Sequence, residues 1–316
     1  MNAAWVRRNA RYLVYLKRFG PKWARPLARA GIILPPGSRA ESSGSLLIPD
    51  LGIPIPEPSS SALMLLKVVQ GAVSLHKRAG AAFEIHDDRV NIHLPGVECV
   101  AFNPADIAVT HEVFGELLYE FHIPGSYAVM DIGMNIGLAS LFFAHRYEAV
   151  VAGFELVPST FEVAKKNIAL NPALAERIEI FPFGVADKDQ ELQITVAPSA
   201  RAGNSLYVAP DVLDSRKETV QVKDIAPLFQ QFRSAHRDRK MILKVDAEGA
   251  EYEIMDRLAS SGLLAEVEII LLEWHARDGK DPESIRTTLR EAGFHWFERR
   301  HGEAPVGLIN AFRPSK

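Results

Sequence analysis

The chain of 316 residues contains a single cysteine, Cys99. One cysteine excludes an intrachain disulfide framework, a four-cysteine zinc site and a three-cysteine cluster of the radical type. Hydrophobic residues make up 47% and charged residues 24% of the sequence, close to the average of globular proteins. The composition therefore predicts a folded protein whose chemistry does not depend on clustered thiols.

Long hydrophobic runs are also missing. The most apolar window, 128–144, contains Asp131, Asn135 and two glycines, so it falls short of the roughly 18–20 apolar residues of a membrane-spanning helix. The first apolar stretch, 12–16, is short and is not followed by a small-residue cleavage site, which argues against a secretory signal. We expect a cytoplasmic protein whose membrane contact, if it has any, is peripheral and at the inner face.

Acidic residues are absent from the first 40 positions, which hold nine of the 36 Lys and Arg residues. The other 27 basic residues are outnumbered by 39 acidic residues. A body this acidic argues against a nucleic-acid-binding protein.

Residues 3–19 are predicted to form a helix with a basic face and an apolar face. The apolar face consists of Trp5, Tyr12, Leu16 and Phe19, and the basic face consists of Arg7, Arg11 and Arg18. Two interpretations remain open: the apolar face docks on the rest of the protein, or the helix lies on an anionic lipid surface.

The sequence pattern changes near residue 96. Residues 35–58 hold six of the twenty prolines and are predicted to be a linker or an irregular extended segment. A helical patch at 62–74, a hairpin at 83–85 and 90–94, and a helix at 106–121 are predicted next. We predict an N-terminal extension at 1–95, made of the basic helix, the Pro-rich linker and the hairpin, and a catalytic domain at 96–316.

Strands alternate with helices from Tyr127 onward. Predicted strands cover 129–130, 150–154, 178–183, 241–245 and 268–272, and predicted helices cover 138–145 and 158–170. This alternation is typical of a parallel, doubly wound α/β sheet. Residues 191–222 break the alternation and are predicted to be an antiparallel insertion.

The loop at 131–137, with the sequence DIGMNIG, follows the first of these strands. Gly133 permits a tight turn with positive φ, and Gly137 permits close approach of a ligand or helix. The spacing matches neither the dinucleotide-binding motif nor the P-loop. Glu155 ends the next strand, where a carboxylate accepts hydrogen bonds from both ribose hydroxyls. Together with Asp131, it suits S-adenosylmethionine, whose methionyl end is zwitterionic.

Three segments in this order resemble the FkbM-type S-adenosylmethionine-dependent methyltransferases. They are DIGMNIG at 131–137, FELVP at 154–158 and LKVDAEGAE at 243–251. The resemblance implies a Rossmann-like class I methyltransferase fold with a seven-stranded, mostly parallel sheet, whose last hairpin is 293–298 and 306–312. It also implies that Asp131, Gly133, Asn135 and Gly137 bind the methionyl end and that Glu155 binds the ribose. Asp187 falls in the region that faces the adenine, although a plain turn aspartate is an equal alternative.

Ionisable side chains cluster at the ends of the fourth and fifth strands of the predicted domain. They are Lys244, Asp246, Glu248, Glu273 and His275. Carboxyl ends of parallel strands open onto one crevice, so these groups are expected beside the cofactor. A base there would help in-line methyl displacement by a hydroxyl. Asp246 and His275 are the first candidates for this base, and Glu248 is the next.

Structural roles are open for the same residues. Lys244 could hold the strand end through an ion pair with Asp246 or Glu248, and His275 could be a structural histidine beside Trp274. Oxygen atoms of Asp246, Glu248 and Glu273 could polarise the hydroxyl through Mg²⁺ instead, but we predict no metal.

Two motifs that the sequence lacks reduce the number of candidate methyl acceptors. Cys99 precedes the crevice strands, which disfavours a cysteine adduct, and the fourth strand lacks the Asn-Pro-Pro-aromatic signature of nitrogen methylation. The predicted function is therefore O-methylation of a carbohydrate, a glycolipid or a related natural product, without a nucleic-acid partner. The alternatives are a nucleotide-dependent oxidoreductase and a non-catalytic, cofactor-binding scaffold subunit. The parts expected to face the acceptor, 1–100 and 197–214, carry no decodable motif.

Overall fold

The computed structural model describes residues 3–196, 216–277, 279–300 and 305–314. The predicted acceptor-facing segment 197–214 therefore lies outside the described residues. The chain divides into two compact units, Met1–Leu118 and Tyr119–Lys316. The domain division expected at 95/96 falls earlier than this division and stays a prediction.

The first unit contains four helices and six short strands among its described residues. They are α1 (Ala3–Ala30), β1 (Arg39–Ala40), β2 (Leu46–Leu47), β3 (Pro54–Ile55), α2 (Ser60–Lys67), α3 (Val69–Ala79), β4 (Ala82–Ile85), β5 (Val90–Leu94), β6 (Val97–Ala101) and α4 (Pro104–Thr110). The strands form two antiparallel three-stranded sheets, β1-β2-β3 and β4-β5-β6. The predicted hairpin is thus confirmed, and β6 adds a third strand to it.

Helix α1 is interrupted at Gly20, whose φ of 74° and ψ of 173° are not helical. The first segment therefore ends where the sequence predicts. Phe19 is 2% exposed and Trp23 is fully buried, and the indole N–H of Trp23 donates to the carbonyl of Gly44 at 3.0 Å. These contacts favour docking of the apolar face within the first unit. The side chains of Trp5 and Arg7 lie outside the described residues.

Three expectations for the first unit need correction. The Pro-rich segment 35–58 is not a linker, because Leu46, Ile48, Leu51 and Ile55 are buried; it fits the alternative of an irregular extended segment, with the two-residue strands β1–β3 in it. The helix expected at 62–74 is two helices, separated at Val68, whose φ is −116°. The helix expected at 106–121 ends at Thr110 and continues as one π-helical turn, His111–Gly115. Leu117 then has a φ of 56°, which turns the chain out of the helical conformation.

The second unit is an α/β assembly. Its described elements are β7 (Tyr127–Ile132), α5 (Leu138–Tyr147), β8 (Val150–Phe154), α6 (Pro158–Ala169), α7 (Pro172–Ala175), β9 (Ile178–Phe181), β10 (Gly184–Ala186), β11 (Gln190–Val196), β12 (Arg216–Asp224), α8 (Ile225–Ala235), β13 (Lys240–Val245), α9 (Glu251–Ser260), β14 (Val267–His275), α10 (Pro282–Glu291), β15 (His295–Arg300) and β16 (Val306–Phe312). No helix among the described residues of either unit is long and apolar enough to cross a membrane.

Seven strands form the main sheet in the order β15-β16-β14-β13-β7-β8-β9. All six residues of β7 are buried, as expected for a central strand covered on both faces. Strands β7, β8, β9, β13 and β14 pair in parallel, and β16 lies antiparallel between β14 and β15. This arrangement confirms the Rossmann-like, mostly parallel fold and its C-terminal hairpin.

A second sheet of three strands has the order β10-β12-β11. Strands β11 and β12 are antiparallel over seven residue pairs, from Gln190↔Val222 to Val196↔Arg216. The antiparallel insertion predicted at 191–222 is therefore confirmed in its described parts.

The order and direction of the strands indicate where this unit can bind a ligand. Strand β13 lies between β7 and β14, and all three are parallel. The segments that follow β7, β8, β13 and β14 therefore leave the same edge of the sheet, which is where open α/β sheets bind ligands.

Candidate cofactor and catalytic site

A crevice lies at this edge of the sheet. Its lining includes Gly133 and Asn135 after β7, Glu155 and Leu156 after β8, Val185 on β10, and Asp246 and Glu248 after β13. The fold thus brings together five residues that the sequence predicts for the site. Two of these, Asp246 and Glu248, are the candidates for proton transfer.

The two loops that follow β7 and β13 approach each other at Gly133. A Cβ atom on this residue would lie 1.8 Å from the carbonyl oxygen of Asp246, and its φ is +73°. Only glycine satisfies both conditions. The N–H groups of Gly133 and Met134 both donate to the carbonyl of Phe154, at 3.0 and 2.9 Å. The loop is therefore fixed to β8 and to the loop after β13 simultaneously.

Asp131 and Lys244 form an ion pair beneath this loop. Lys244 Nζ lies 3.1 Å from Asp131 Oδ1, and the side chains are 2% and 0% exposed. The ammonium group also donates to the carbonyl of Gly133 at 2.5 Å, while Asp131 Oδ2 accepts from the hydroxyl of Ser140 at 2.6 Å. Asp246 Oδ2 lies farther from Nζ, at 3.9 Å.

This pairing determines the charge of Lys244. Burial acts to lower the pKa of the ammonium group, but the negative charges of Asp131 and Asp246 outweigh it and raise the pKa. A lysine held charged and enclosed in this way supports the loop. The predicted contact of Asp131 with the cofactor and the predicted catalytic role of Lys244 stay predictions.

Glu155 is almost completely buried at the crevice, with 8% of its surface exposed. Its two carboxylate oxygens accept hydrogen bonds from the N–H groups of Val157, at 2.8 Å, and Asn135, at 3.0 Å. Burial raises the pKa of Glu155 to about 7, although these two hydrogen bonds favour the charged form. The carboxyl group is thus poised to gain or lose a proton near neutral pH.

Glu248 and His275 face each other at the ends of β13 and β14. His275 Nε2 lies 3.5 Å from Glu248 Oε2. Burial raises the pKa of Glu248 to about 8. Burial alone would lower the pKa of His275, but hydrogen bonding and charge from Glu251 raise it to about 9. Because both values lie above 7, both side chains are mainly protonated at neutral pH.

Glu251, which the sequence analysis did not single out, is the third member of this cluster. It is completely buried, and its Oε1 lies 3.1 Å from His275 Nδ1. Glu251 is the last residue of the sequence segment DAEGAE and the first residue of α9, so the segment contained a hint of its role. An acid in the first turn of a helix is so common that its sequence position alone does not indicate a role in the site.

The remaining predicted residues lie apart from the crevice lining. Gly137 caps the N-terminus of α5 with a φ of 82°, and a Cβ there would lie 3.3 Å from that of Ala164, so its observed constraint is helix packing. Asp187 is half-buried and follows β10 in the second sheet, and Glu273 is half-buried on β14. Their roles stay predictions.

Among the residues that the structure describes, one donor atom each from Asp246, Glu248 and His275 lies within 4.8 Å of the others. Two of the three, Glu248 and His275, are also in contact with each other at 3.5 Å. That no metal binds stays a prediction.

The crevice fits a nucleoside that carries a cation. Ile132, Phe154, Leu156 and Val185 supply apolar lining for a base and a ribose ring. Glu155 provides a carboxylate for hydroxyl donors, and Gly133 keeps the backbone clear of a side chain. Asp246 and Glu248 add two further carboxyl groups to the lining.

The strand order, the glycine loop and the acid after β8 define a class I, Rossmann-like methyltransferase. The model of the methyltransferase FkbM domain matches residues 131–296, which is more than half of the chain. The chain belongs to the FkbM family and is an S-adenosylmethionine-dependent methyltransferase. This finding argues against the oxidoreductase alternative.

Two curated relatives match a large part of this chain. Methyltransferase sdnD of Sordaria araneosa is 26% identical over 231 residues, which cover 64% of this chain and 88% of that protein. The AMB antimetabolite synthetase AmbE of Pseudomonas aeruginosa is 26% identical over 225 residues, which cover 59% of this chain but 10% of the synthetase.

Solved structures are more distant. The methyltransferase FkbM from Methylobacillus flagellatus KT has 13% identity and a TM-score of 0.41, and the match covers 59% of this chain and 43% of that one. The N-terminal domain of human METTL16 in complex with SAH has 13% identity and a TM-score of 0.37, and the match covers 88% and 89% of the two chains.

Loss of the buried ion pair between Asp131 and Lys244 should strongly destabilise the protein. Replacing Lys244 by Met leaves the carboxylate of Asp131 buried without a counter-charge, so we expect the free energy of unfolding to fall by about 3–5 kcal/mol. The double variant Lys244→Met/Asp131→Asn should recover part of the loss. Urea denaturation followed by circular dichroism measures both.

Lys165→Met is the matched control. Lys165 and Glu162 lie 3.0 Å apart, but the pair is exposed on α6, so its removal should change stability little. Equal effects of Lys165→Met and Lys244→Met would contradict the importance of the buried pair.

Proposed function

We propose that the protein transfers the methyl group of S-adenosylmethionine to a hydroxyl oxygen of a carbohydrate, a glycolipid or a related natural product. One observation carries the proposal. Asp246 and Glu248 line the same crevice as Glu155, and Glu248 is 3.5 Å from His275. A proton acceptor is thus available beside a pocket that fits the cofactor. A hydroxyl needs such an acceptor because it is a poor nucleophile while protonated.

The cofactor would be held by groups on both sides of the crevice. We assign the ribose to Glu155, the methionyl end to the loop 131–137 with Asn135, and the region of the adenine to the side of Asp187. Asp131 would act through Lys244, which it keeps beneath the loop. When bound, the cofactor supplies a sulfonium-activated methyl group, and the chain supplies position.

We assign removal of the hydroxyl proton of the acceptor to the cluster of Asp246, Glu248 and His275. The hydroxyl proton would pass to Glu248 or to Nε2 of His275 as the new carbon–oxygen bond forms. The raised pKa values of Glu248 and His275 mean that the pair must first lose a proton. A cation in the crevice lowers both values by stabilising the carboxylate and destabilising the imidazolium. Asp246 adds negative charge that keeps a cation near.

One relative supports a natural product as acceptor. A segment of the antimetabolite synthetase AmbE matches this chain over 225 residues. Among the described residues, no Lys or Arg side chain lines the crevice, which disfavours acceptors whose reacting group lies beside a phosphate.

The direct test uses S-adenosylmethionine with a labelled methyl group. The protein is incubated with fractionated glycans, lipids and small molecules, and we expect label in one fraction as a base-stable, ether-linked methyl group. A Glu248→Gln/His275→Gln variant should lose at least about 100-fold of this activity. Label on nitrogen or carbon would contradict oxygen methylation, and cofactor binding without transfer to any fraction would favour the scaffold alternative.

Binding of S-adenosylhomocysteine is predicted to depend on pH through Glu155. Ribose hydroxyls donate to the ionised carboxylate, whereas the free protein holds this group half protonated at a pH of about 7. Affinity should therefore fall by up to about tenfold per unit as the pH drops below 7, which isothermal titration calorimetry measures. S-adenosylhomocysteine has a neutral sulfur, so its binding should depend little on the protonation of Glu248 and His275.

The Glu155→Gln variant should bind S-adenosylhomocysteine more weakly than the wild type, and its binding should no longer depend on pH in this way. Glu162→Gln, an exposed substitution on α6, should bind as the wild type does. An unchanged pH dependence in Glu155→Gln would remove Glu155 from the ribose site.

We also propose that α1 contacts an anionic lipid surface, through a different face from the one that the sequence suggested. Leu13 and Val14 are 64% and 61% exposed, and Lys17 and Arg18 are exposed one turn further along the helix. These four side chains share a face because residues four apart are neighbours on a helix. Apolar groups beside cations match the boundary of an anionic bilayer.

Vesicle flotation tests this contact. The wild type should float with phosphatidylcholine–phosphatidylglycerol vesicles and stay at the bottom with phosphatidylcholine alone. Leu13→Ser/Val14→Ser should lose most of the flotation, while Leu170→Ser, at another exposed leucine, should retain it. Equal flotation of the two variants would contradict the assignment.

A further inference from the structure

Glu251 is a buried carboxylate with an unusual set of partners. Its Oε1 accepts hydrogen bonds from the N–H groups of Ala247, at 2.9 Å, and Gly249, at 3.0 Å, and its Oε2 accepts from Gly249 at 3.0 Å. The side chain is completely excluded from solvent. It therefore fixes the loop between β13 and α9, which carries Asp246 and Glu248.

The same carboxylate also contacts His275 on the neighbouring strand. Oε1 lies 3.1 Å from Nδ1. An ionised carboxylate only accepts hydrogen bonds, so this contact requires a proton on Nδ1. The neutral imidazole then has its lone pair on Nε2, the atom that lies 3.5 Å from Glu248 Oε2. Glu248 in turn lines the crevice.

From this geometry we infer that Glu251 is a positioning residue, which selects the tautomer of His275 and directs the basic Nε2 toward Glu248 and the crevice. The inference rests on the proposed function, because it names the residue that prepares the proton acceptor. Glu251 itself lies behind the ring and does not reach the crevice lining. It acts through His275, as the buried aspartate does in a serine–histidine–aspartate triad.

Other groups near His275 do not replace this contact. The charged groups that act on His275 are Glu248 and Asp246 from the loop after β13 and Glu251 from α9, and Tyr252 from α9 contacts its backbone. The hydroxyl of Tyr252 donates to the carbonyl of His275 at 3.1 Å. This hydrogen bond holds the backbone of His275 and does not involve its imidazole ring. Arg277 contacts Glu253 and donates to the carbonyl of Gly249 at 2.8 Å.

The first experiment reads the histidine directly and needs no methyl acceptor. Nitrogen-15 spectra of histidine-labelled full-length protein, in EDTA, give the tautomer and the pKa of His275, which is assigned by its absence in His275→Gln. In the wild type we expect the neutral ring to carry its proton on Nδ1. Glu251→Gln keeps one oxygen for the hydrogen bonds that Oε1 accepts but removes the charge, so the pKa of His275 should fall by about one unit or more.

Glu253→Gln is the matched control. This carboxylate is also on α9, but its ion pairs are with Arg277 and Lys280. It should leave the tautomer and pKa of His275 unchanged. A wild-type proton on Nε2, or an equal pKa of His275 in the wild type and Glu251→Gln, would overturn the inference.

The second experiment connects the histidine to catalysis. In the fraction that accepts labelled methyl, Glu251→Gln should lower kcat by about tenfold or more with little change in KM for the cofactor. The acid limb of its kcat–pH profile should move to lower pH with the pKa of His275. A purely structural role would reduce activity without moving this limb, and that result would also overturn the inference.

Failure of the proposed function has a different signature. A wild-type protein that does not bind S-adenosylhomocysteine and labels no fraction overturns the proposed function, whatever the spectra show. Normal binding and transfer with an unshifted His275 in Glu251→Gln overturns only the role of Glu251. Equal melting temperatures of Glu251→Gln and Glu253→Gln would show that the comparison is not confounded by unfolding.

Discussion

The ion pair between Asp131 and Lys244 joins the two central strands of the site, β7 and β13, at 3.1 Å. Two charges without contact to water are costly, so each needs the other and its hydrogen bonds to remain in place. Lys244 also holds the carbonyl of Gly133, and Gly133 lies against the carbonyl of Asp246. One buried ammonium group thus helps to set the distance between the loop after β7 and the loop after β13, which carries the candidate bases.

Several carboxyl groups lie close to this support. Lys244 is paired with Asp131 beneath the loop, and its Nζ lies 3.9 Å from Asp246. Burial is the main cause that raises the pKa values of Glu155 and Glu248 to about 7 and about 8, and the charge of Asp246 acts in the same direction. In the proposed reaction, a cation that enters the crevice would stabilise the carboxylate forms of both groups. Binding of the cation and release of a proton would then be coupled.

The sequence predicted the fold better than the roles of the site residues. Strand β8 has the bounds expected, 150–154, because buried strands leave a continuous apolar run that turn residues interrupt. The partner of Lys244 was not predictable in the same way. Alternation along β13 directs Lys244 and Asp246 to one side, but the neighbouring strand supplies the closer acid, Asp131. Glu251 was missed for a related reason, since its contact with His275 joins residues 24 positions apart.

The acidity of the crevice also bears on the choice of acceptor. Family membership establishes the cofactor and the reaction class, and in the proposed reaction the acceptor approaches Asp246 and Glu248. An anionic group at the reacting end would meet these carboxylates without a crevice-lining Lys or Arg among the described residues. Neutral hydroxyls, by contrast, donate hydrogen bonds to the same acids. For the proposed methyl transfer, electrostatics therefore favours an acceptor that presents neutral hydroxyl groups to the crevice.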